Sequence, residues 1–272
     1  MTKKQKIIDA AVELFAEKGI EATSVQQITE KCGISKGAFY LHFKSKEQLT
    51  LAILDYFMQN VLLEIDQSVI FTQENDQKLY SYYHYSLSYF QQYKSLALIF
   101  LREQMADVGE MCFQKMMFYE SITMLMISEL LDSIYGDKVI DSKYDLILFM
   151  QGMLKSYMNA LLFINPSLDI HLIARSLVEK TNIFADHSTL HVLNEAPQDS
   201  SSIISSDIIL AELQAIEVTE LTELEKQSID VLVEQFSQSV QQQAIVVGML
   251  HNIKDNEKLH WVSFLIKHFL YK

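Results

Sequence analysis

Two prolines and seven glycines in 272 residues leave this chain almost without helix breakers. That scarcity excludes collagen-like, linker-like and turn-dense all-β architectures. The two cysteines, Cys32 and Cys112, are too few and too far apart for a disulfide framework and read as reduced thiols. No run approaches the ~18 apolar residues of a membrane span. The basic start of the chain is interrupted by Asp9, Glu13 and Glu17 where the apolar region of a targeting segment would lie, so a cytoplasmic chain is expected. There is no Gly-x-Gly-x-x-Gly, no Gly-Lys-Ser or Gly-Lys-Thr loop and no nucleophile elbow, so nucleotide and hydrolase chemistry lack their usual signatures. His187 and His191, four apart with Asp186 beside them, have metal-like spacing but no third ligand near them. No catalytic residue, metal or cofactor is read from the sequence.

What the chain does have is apolar bulk, 49% of residues, in patterns of helical period. The expected fold class is all-α. The formal net charge is −13, yet the first fifty residues carry eight lysines against six acids, +2, leaving the rest at −15. A head of weak positive charge on an acidic body fits sequence-specific docking on nucleic acid better than indiscriminate coating.

The first predicted helix spans Lys3 to Lys18, with Ile7, Ile8, Ala11, Leu14 and Phe15 on one face and Gly19 as its stop. Ser24 with Gln27 forms a capping box for a second helix, whose Val25, Ile28 and Cys32 point inward, and Gly33 ends it. Ser35 opens a third helix to about Phe43, held by Phe39 and Phe43. Two short helices joined by one tight turn form a helix-turn-helix. Lys36 beside the small residues Gly37 and Ala38 suits close approach to base edges, while the Ser35 hydroxyl, Tyr40, His42 and Lys46 suit phosphates. A plain surface helix would also fit any one of these residues taken alone.

The string Lys-Cys-Gly-Ile-Ser-Lys-Gly-Ala-Phe-Tyr-Leu-His-Phe-Lys-Ser-Lys-Glu-Gln-Leu, residues 31–49, resembles the DNA-binding domain of the tetracycline-repressor (TetR) family of bacterial transcription regulators. The likeness covers about Lys6 to Leu54; Cys32 departs from it, standing where the family more often has alanine. It implies that Thr23 and Ser24 begin a positioning helix near a phosphate, that Lys36, Gly37 and Ala38 face bases, and that Tyr40, His42 and Lys46 contact the backbone. It further implies a homodimer on a double-stranded DNA operator and an effector that shifts the helix joining head to body.

Ser45 caps that connecting helix, which no glycine or proline interrupts between residues 45 and 75. From Asp76 to about Phe163 the pattern stays helical, and ten of the thirteen tyrosines and nine of the twelve methionines fall between Tyr80 and Met158. So much adaptable, polar-tipped apolar surface favours a pocket for a small apolar or amphipathic ligand, although a plain helical core uses the same residues. The candidate ligand residues are Tyr85, Tyr89, Tyr93, Arg102, Phe149, Met153 and Tyr157. Helices over Ser142 to Ile164 and from about Asp169 towards His187 suit two-fold dimerisation.

Beyond about Asn194 a polar linker leads to a further acidic, amphipathic helical segment longer than the family usually carries. Its Trp261, Phe264, Leu265, His268 and Phe269 also fit a membrane surface, which the acidic residues upstream oppose. The expected domains are therefore a head at 1–48, a ligand-binding and dimerisation domain at 49–194 and an extension at 195–272. The expected function is a ligand-responsive, homodimeric repressor rather than an enzyme, with no membrane partner. The alternative is a DNA-bound interaction protein whose extension engages a protein partner.

Overall fold

Hydroxyl caps and glycine stops set the boundaries of the head. In the computed structural model, which describes residues 3–72, 74–103, 110–193 and 203–270 (side chains at 76, 99–103 and 110 excepted), no strand occurs among the described residues. Helix α1, Lys3–Lys18, buries Ile7, Ile8, Ala10, Ala11, Leu14 and Phe15 and stops at Gly19, whose φ of 87° needs a glycine. Helix α2, Val25–Cys32, starts in a closed capping box: Gln27 N–H donates to the Ser24 hydroxyl, and Ser24 N–H donates to the Gln27 side chain at 2.9 Å. Such a cap contributes about 1 kcal/mol. Gly33 takes φ 67°, and the Ile34 N–H returns to the Thr29 carbonyl at 3.0 Å, closing the turn. Helix α3, Lys36–His42, is capped by Ser35 and fixed by the fully buried Phe39, with Phe43 just beyond its end. Ile28 is the inward anchor of α2, whereas Cys32, expected to be buried, is half-buried and donates its thiol to the Lys6 carbonyl at 3.4 Å.

Ser45 caps helix α4, Lys46–Ile70, about 37 Å of unbroken helix at 1.5 Å per residue. The stretch read as one helical region divides into α5, Asn75–Gln92, α6, Lys94–Glu103, α7, Glu110–Tyr135, and α8, Lys143–Phe163. Gly136 at φ 53° begins the short turn between α7 and α8. Helix α9, Ile170–His187, follows an Asp169 cap whose carboxylate accepts the His171 and Leu172 amides. Leu79, Tyr83 and Leu87 of α5 meet Ile127 and Leu131 of α7, Ile147 and Met150 of α8, and Ala174 and Leu177 of α9 in one core. Truncating any large member to alanine would cost roughly 2–5 kcal/mol. The buried Tyr83 and Thr181 hydroxyls satisfy one another at 2.7 Å. Helix α8, expected as a dimerisation helix, is the one helix among the described residues long and apolar enough to cross a membrane, where no run was expected to approach that length. Its Leu146, Ile147, Met150, Leu154 and Leu161 are spent in this core.

By packing, the chain divides into residues 1–195 and 196–272. Within the first unit the head is not separate, since α1 packs on α4 and α6. The second unit has its own core. Helices α10, Ser206–Gln214, α11, Glu223–Phe236, α12, Gln243–Ile253, and α13, His260–Leu270, bury Ile209, Leu213, Ile229, Leu232, Phe236, Val246 and Leu265 together. Trp261, Phe264 and Leu265 are buried in this unit, which corrects the membrane-surface alternative: the apolar face of α13 is covered by protein.

Candidate nucleic-acid interface and ligand cavity

Once Phe39 and Phe43 are buried, the geometry of a seven-residue helix leaves little choice about which side chains face outward. Ser35, Lys36, Gly37, Tyr40 and His42 are exposed, as is Ser24 at the start of α2, while Ala38 is half-buried. A Cβ placed on Gly37 would meet only the Ser35 hydroxyl, at 3.8 Å. Nothing among the described residues therefore needs a glycine there, although glycine within a helix costs roughly 0.5–1 kcal/mol relative to alanine. Tyr40 is held edge-on to Phe39, with ring centroids 5.3 Å apart, and keeps half of its surface exposed.

Two of the nine expected DNA contacts turn inward. Thr23 is 1% exposed, and its hydroxyl donates to the Gly19 carbonyl at 2.8 Å. The Lys46 ammonium donates to the carbonyls of Ile20 at 2.8 Å, Glu21 at 3.3 Å and Thr23 at 3.1 Å. Both fix the loop from α1 to α2 rather than present a free group to phosphate. Lys31 adds an ion pair to Glu13 at 2.6 Å, and this hydrogen-bonded contact raises the lysine pKa. The sequence reading missed Leu41. It is 85% exposed, one helical turn beyond Gly37, and is the kind of apolar side chain that meets a thymine methyl. The signal was available, because a leucine four residues from an exposed glycine shares its face.

The body holds a cavity of about 550 Å³, within the range of small-molecule sites. Leu54, Phe57, Met58, Val61, Leu62 and Ile65 of α4 form one wall. Tyr82, Ser86 and Phe90 of α5 and Met116, Tyr119, Glu120, Thr123 and Met126 of α7 form others. Helix α8 contributes Leu148, Gln151, Gly152, Leu154, Lys155, Met158 and Asn159. Burial, with the neighbouring Tyr83 and Glu120, pushes the Tyr82 phenol far above its ordinary pKa, so it enters the wall as a neutral group. The Tyr119 hydroxyl donates to Asp55 at 2.7 Å, and the Lys115 ammonium lies 2.8 Å from the same carboxylate, tying α7 to α4.

The lining lies one register away from the expected stripe. Tyr85, Tyr89, Tyr93, Phe149, Met153 and Tyr157 are not among the residues lining this cavity, and the side chain of Arg102 lies outside the described residues. Tyr89 instead donates to Glu64 at 2.6 Å, and burial and that carboxylate hold its hydroxyl protonated. Tyr93 packs edge-on to Phe57, and Phe149 packs on Phe184. Tyr85 is partly exposed, while Met153 and Tyr157 pack on the main core. The expected residues fall on helices that line this cavity, but three- and four-residue spacing describes several stripes of α5 equally well.

Comparison with known proteins agrees with this geometry. Residues 7–53 match the family model described as bacterial regulatory proteins, tetR family. The chain is 30% identical to the uncharacterized HTH-type transcriptional regulator YerO of Bacillus subtilis strain 168, over 99% of this chain and 98% of that one. The extension is therefore within the shared length. Solved structures with the same fold include a transcriptional regulator from Aquifex aeolicus VF5, with a TM-score of 0.53 and 23% identity, covering 67% of this chain and 99% of that one. Another is the regulator FadR from Bacillus subtilis in complex with stearoyl-CoA, with a TM-score of 0.54 and 19% identity, covering 65% of this chain and 96% of that one. With a matching head and a relative aligned from end to end, the chain belongs to the tetR family of bacterial regulatory proteins and is a helix-turn-helix transcription regulator.

Proposed function

We propose that this regulator is a homodimeric repressor that binds a pseudo-palindromic operator and is released from it by a small, largely apolar or amphipathic effector. The observation that carries this reading is the double role of α4. The helix starts directly after the recognition helix α3, and six of its side chains form a wall of the cavity, so whatever fills the cavity presses on the support of the head. The stearoyl-CoA bound by FadR supports an effector with a long apolar part. Exposed apolar side chains on α9, Leu172 at 66% and Ile183 at 51%, with Phe163 at 70% closing α8, support a second copy as the partner of these helices. On α3, Lys36, Gly37 and Ala38 read bases while Tyr40, His42 and the Ser24 and Ser35 hydroxyls hold phosphates.

The deciding experiment is selection of bound DNA from a random pool by the full-length protein at moderate salt. A pseudo-palindrome with half-site centres about 34–36 Å apart is the expected product. Enrichment of no sequence would overturn the reading.

One observation favours a second reading, in which the extension engages a protein partner. Its helix α12 is almost wholly apolar, yet Val247 is 49% exposed and Ala244 and Gly248 share that exposed side. A regulator that recruits a partner through α12 would keep its operator and show no thermal shift with any amphiphile.

A further inference from the structure

The cavity is apolar, but its polar groups are unevenly used. The hydroxyls of three lining residues are already spent within the protein. Tyr119 donates to Asp55, Ser86 to the Tyr82 carbonyl at 2.6 Å and Thr123 to the Tyr119 carbonyl at 2.9 Å. Helix α8 differs. Gln151, Lys155 and Asn159 lie at i, i+4 and i+8, on one face of the helix, and all three line the cavity. At 1.5 Å per residue they form a ladder about 12 Å long. The Gln151 side-chain nitrogen is buried and has no hydrogen-bond partner among the described residues. Lys155 is exposed and joins none of the ion pairs found among the described residues.

A buried amide nitrogen without an acceptor is an unfavourable arrangement that a ligand can relieve. Because an amide can turn over, Gln151 alone asks only for a hydrogen-bonding group. Lys155, one turn along the same face, sets its sign, since an ammonium has three donors and no acceptor. Glu120 of α7 adds one carboxylate to the lining, so the charges on the lining cancel formally. The α8 ladder nevertheless gathers the donor capacity on one side.

Resting on the effector-cavity reading above, we infer that this site takes a single-chain amphiphile with an anionic, acceptor-only head. The tail lies among Phe57, Val61 and Met126, and the head is bound by Lys155 with Gln151 beside it. A neutral head satisfies the amide but not the ammonium. A cationic head meets Lys155 with like charge. Charge-assisted hydrogen bonds are about twice as strong as neutral ones, so the head group rather than the tail decides among ligands of equal chain length.

The test is calorimetric titration of the full-length protein with dodecanoate, dodecan-1-ol and dodecyltrimethylammonium, each below its micellar concentration. Dodecanoate is expected to bind about tenfold more tightly than the alcohol, with the quaternary ammonium weakest. Lys155→Met should bring the acid to the affinity of the alcohol, and Lys155→Arg should restore the preference. Lys155 is exposed, so neither variant is expected to perturb folding. Gln151→Leu should weaken acid and alcohol alike. If the acid binds no better than the alcohol, or its advantage survives in Lys155→Met, the inference falls while the cavity reading stands. If none of the three amphiphiles binds, the effector-cavity reading falls with it.

Discussion

The Lys46 ammonium lies 2.8 Å from the Ile20 carbonyl oxygen and also reaches the carbonyls of Glu21 and Thr23, so the first residue of α4 holds the loop that delivers the chain into α2. A lysine in this sequence context reads as a phosphate contact, and the two roles differ in a measurable way. Loss of a phosphate contact lowers the slope of log K against log salt by about 0.9, because one fewer counterion is released. Lys46→Met is instead expected to weaken operator binding equally on all sequences with the slope unchanged. It should also lower stability by about 1.5 kcal/mol, the lower end for hydrogen bonds to a charged group, as the lysine is half-buried. Operator titrations at several salt concentrations, with urea unfolding alongside, separate the roles. A shallower slope at unchanged stability would return Lys46 to the phosphates.

Leu41 calls for the opposite behaviour. With 85% of its surface exposed on α3, it has little to lose in stability, so Leu41→Ala should leave the unfolding midpoint within experimental error. If it packs on a thymine methyl, discrimination at that one base pair falls by about 1–3 kcal/mol, while affinity for nonspecific DNA and its salt dependence persist. Lys36→Ala, by contrast, should relax base preference and lower affinity together. Sites selected by the variants reveal the difference. An unaltered consensus with Leu41→Ala would remove this residue from base readout.

How much of this was legible in the sequence follows from the range of the forces involved. The head is specified by local rules. Ser24 with Gln27, Gly33 and Ser35 each fix a helix end through neighbours three to five residues away, and the observed caps are the ones the sequence indicates. The all-α class follows from period and from the scarcity of breakers. What periodicity could not resolve was rotation. Tyr82, Ser86 and Phe90 and the stripe containing Tyr85, Tyr89 and Tyr93 are alternative faces of α5, and only the packing of α4, α7 and α8 decides which one meets the cavity. The inward turn of Lys46 was hidden for a related reason, since its partners are carbonyls more than twenty residues away. Backbone acceptors leave no mark in a side-chain pattern.

His84 gives the molecule a predictable acid response. Its ring stacks against both Tyr80, with centroids 5.4 Å apart, and His171, at 4.5 Å, and its Nδ1 is buried without a partner among the described residues. Burial first and the neighbouring His171 second hold its pKa below the ordinary histidine value. The unfolded chain, with a histidine pKa of about 6.5, therefore takes up a proton before the folded one does. This contribution to stability is complete above that pH and is lost as the pH falls through it towards the lower folded value. Urea midpoints should drop between about pH 7.5 and about pH 5.5 more steeply for the parent protein than for His84→Gln. Equal pH dependence of the two would show that His84 is not the responsible group.

Gly152 lies mid-helix in α8 on the lining of the cavity, and a Cβ built on it meets nothing among the described residues within 4 Å. Two substitutions there separate stability from ligand response. Gly152→Ala removes the conformational freedom of glycine without a clash and should stabilise the protein by about 0.8–1.0 kcal/mol, the helix-propensity difference. Gly152→Leu extends a side chain into the space an effector would occupy, without touching α3. Its operator affinity should match that of the parent, while the thermal shift with dodecanoate disappears and DNA is no longer released. A leucine variant that still responds to ligand as the parent does would mean that the effector binds elsewhere in the chain. A leucine variant that loses operator affinity in the absence of ligand would mean that filling the cavity is itself the signal carried through α4.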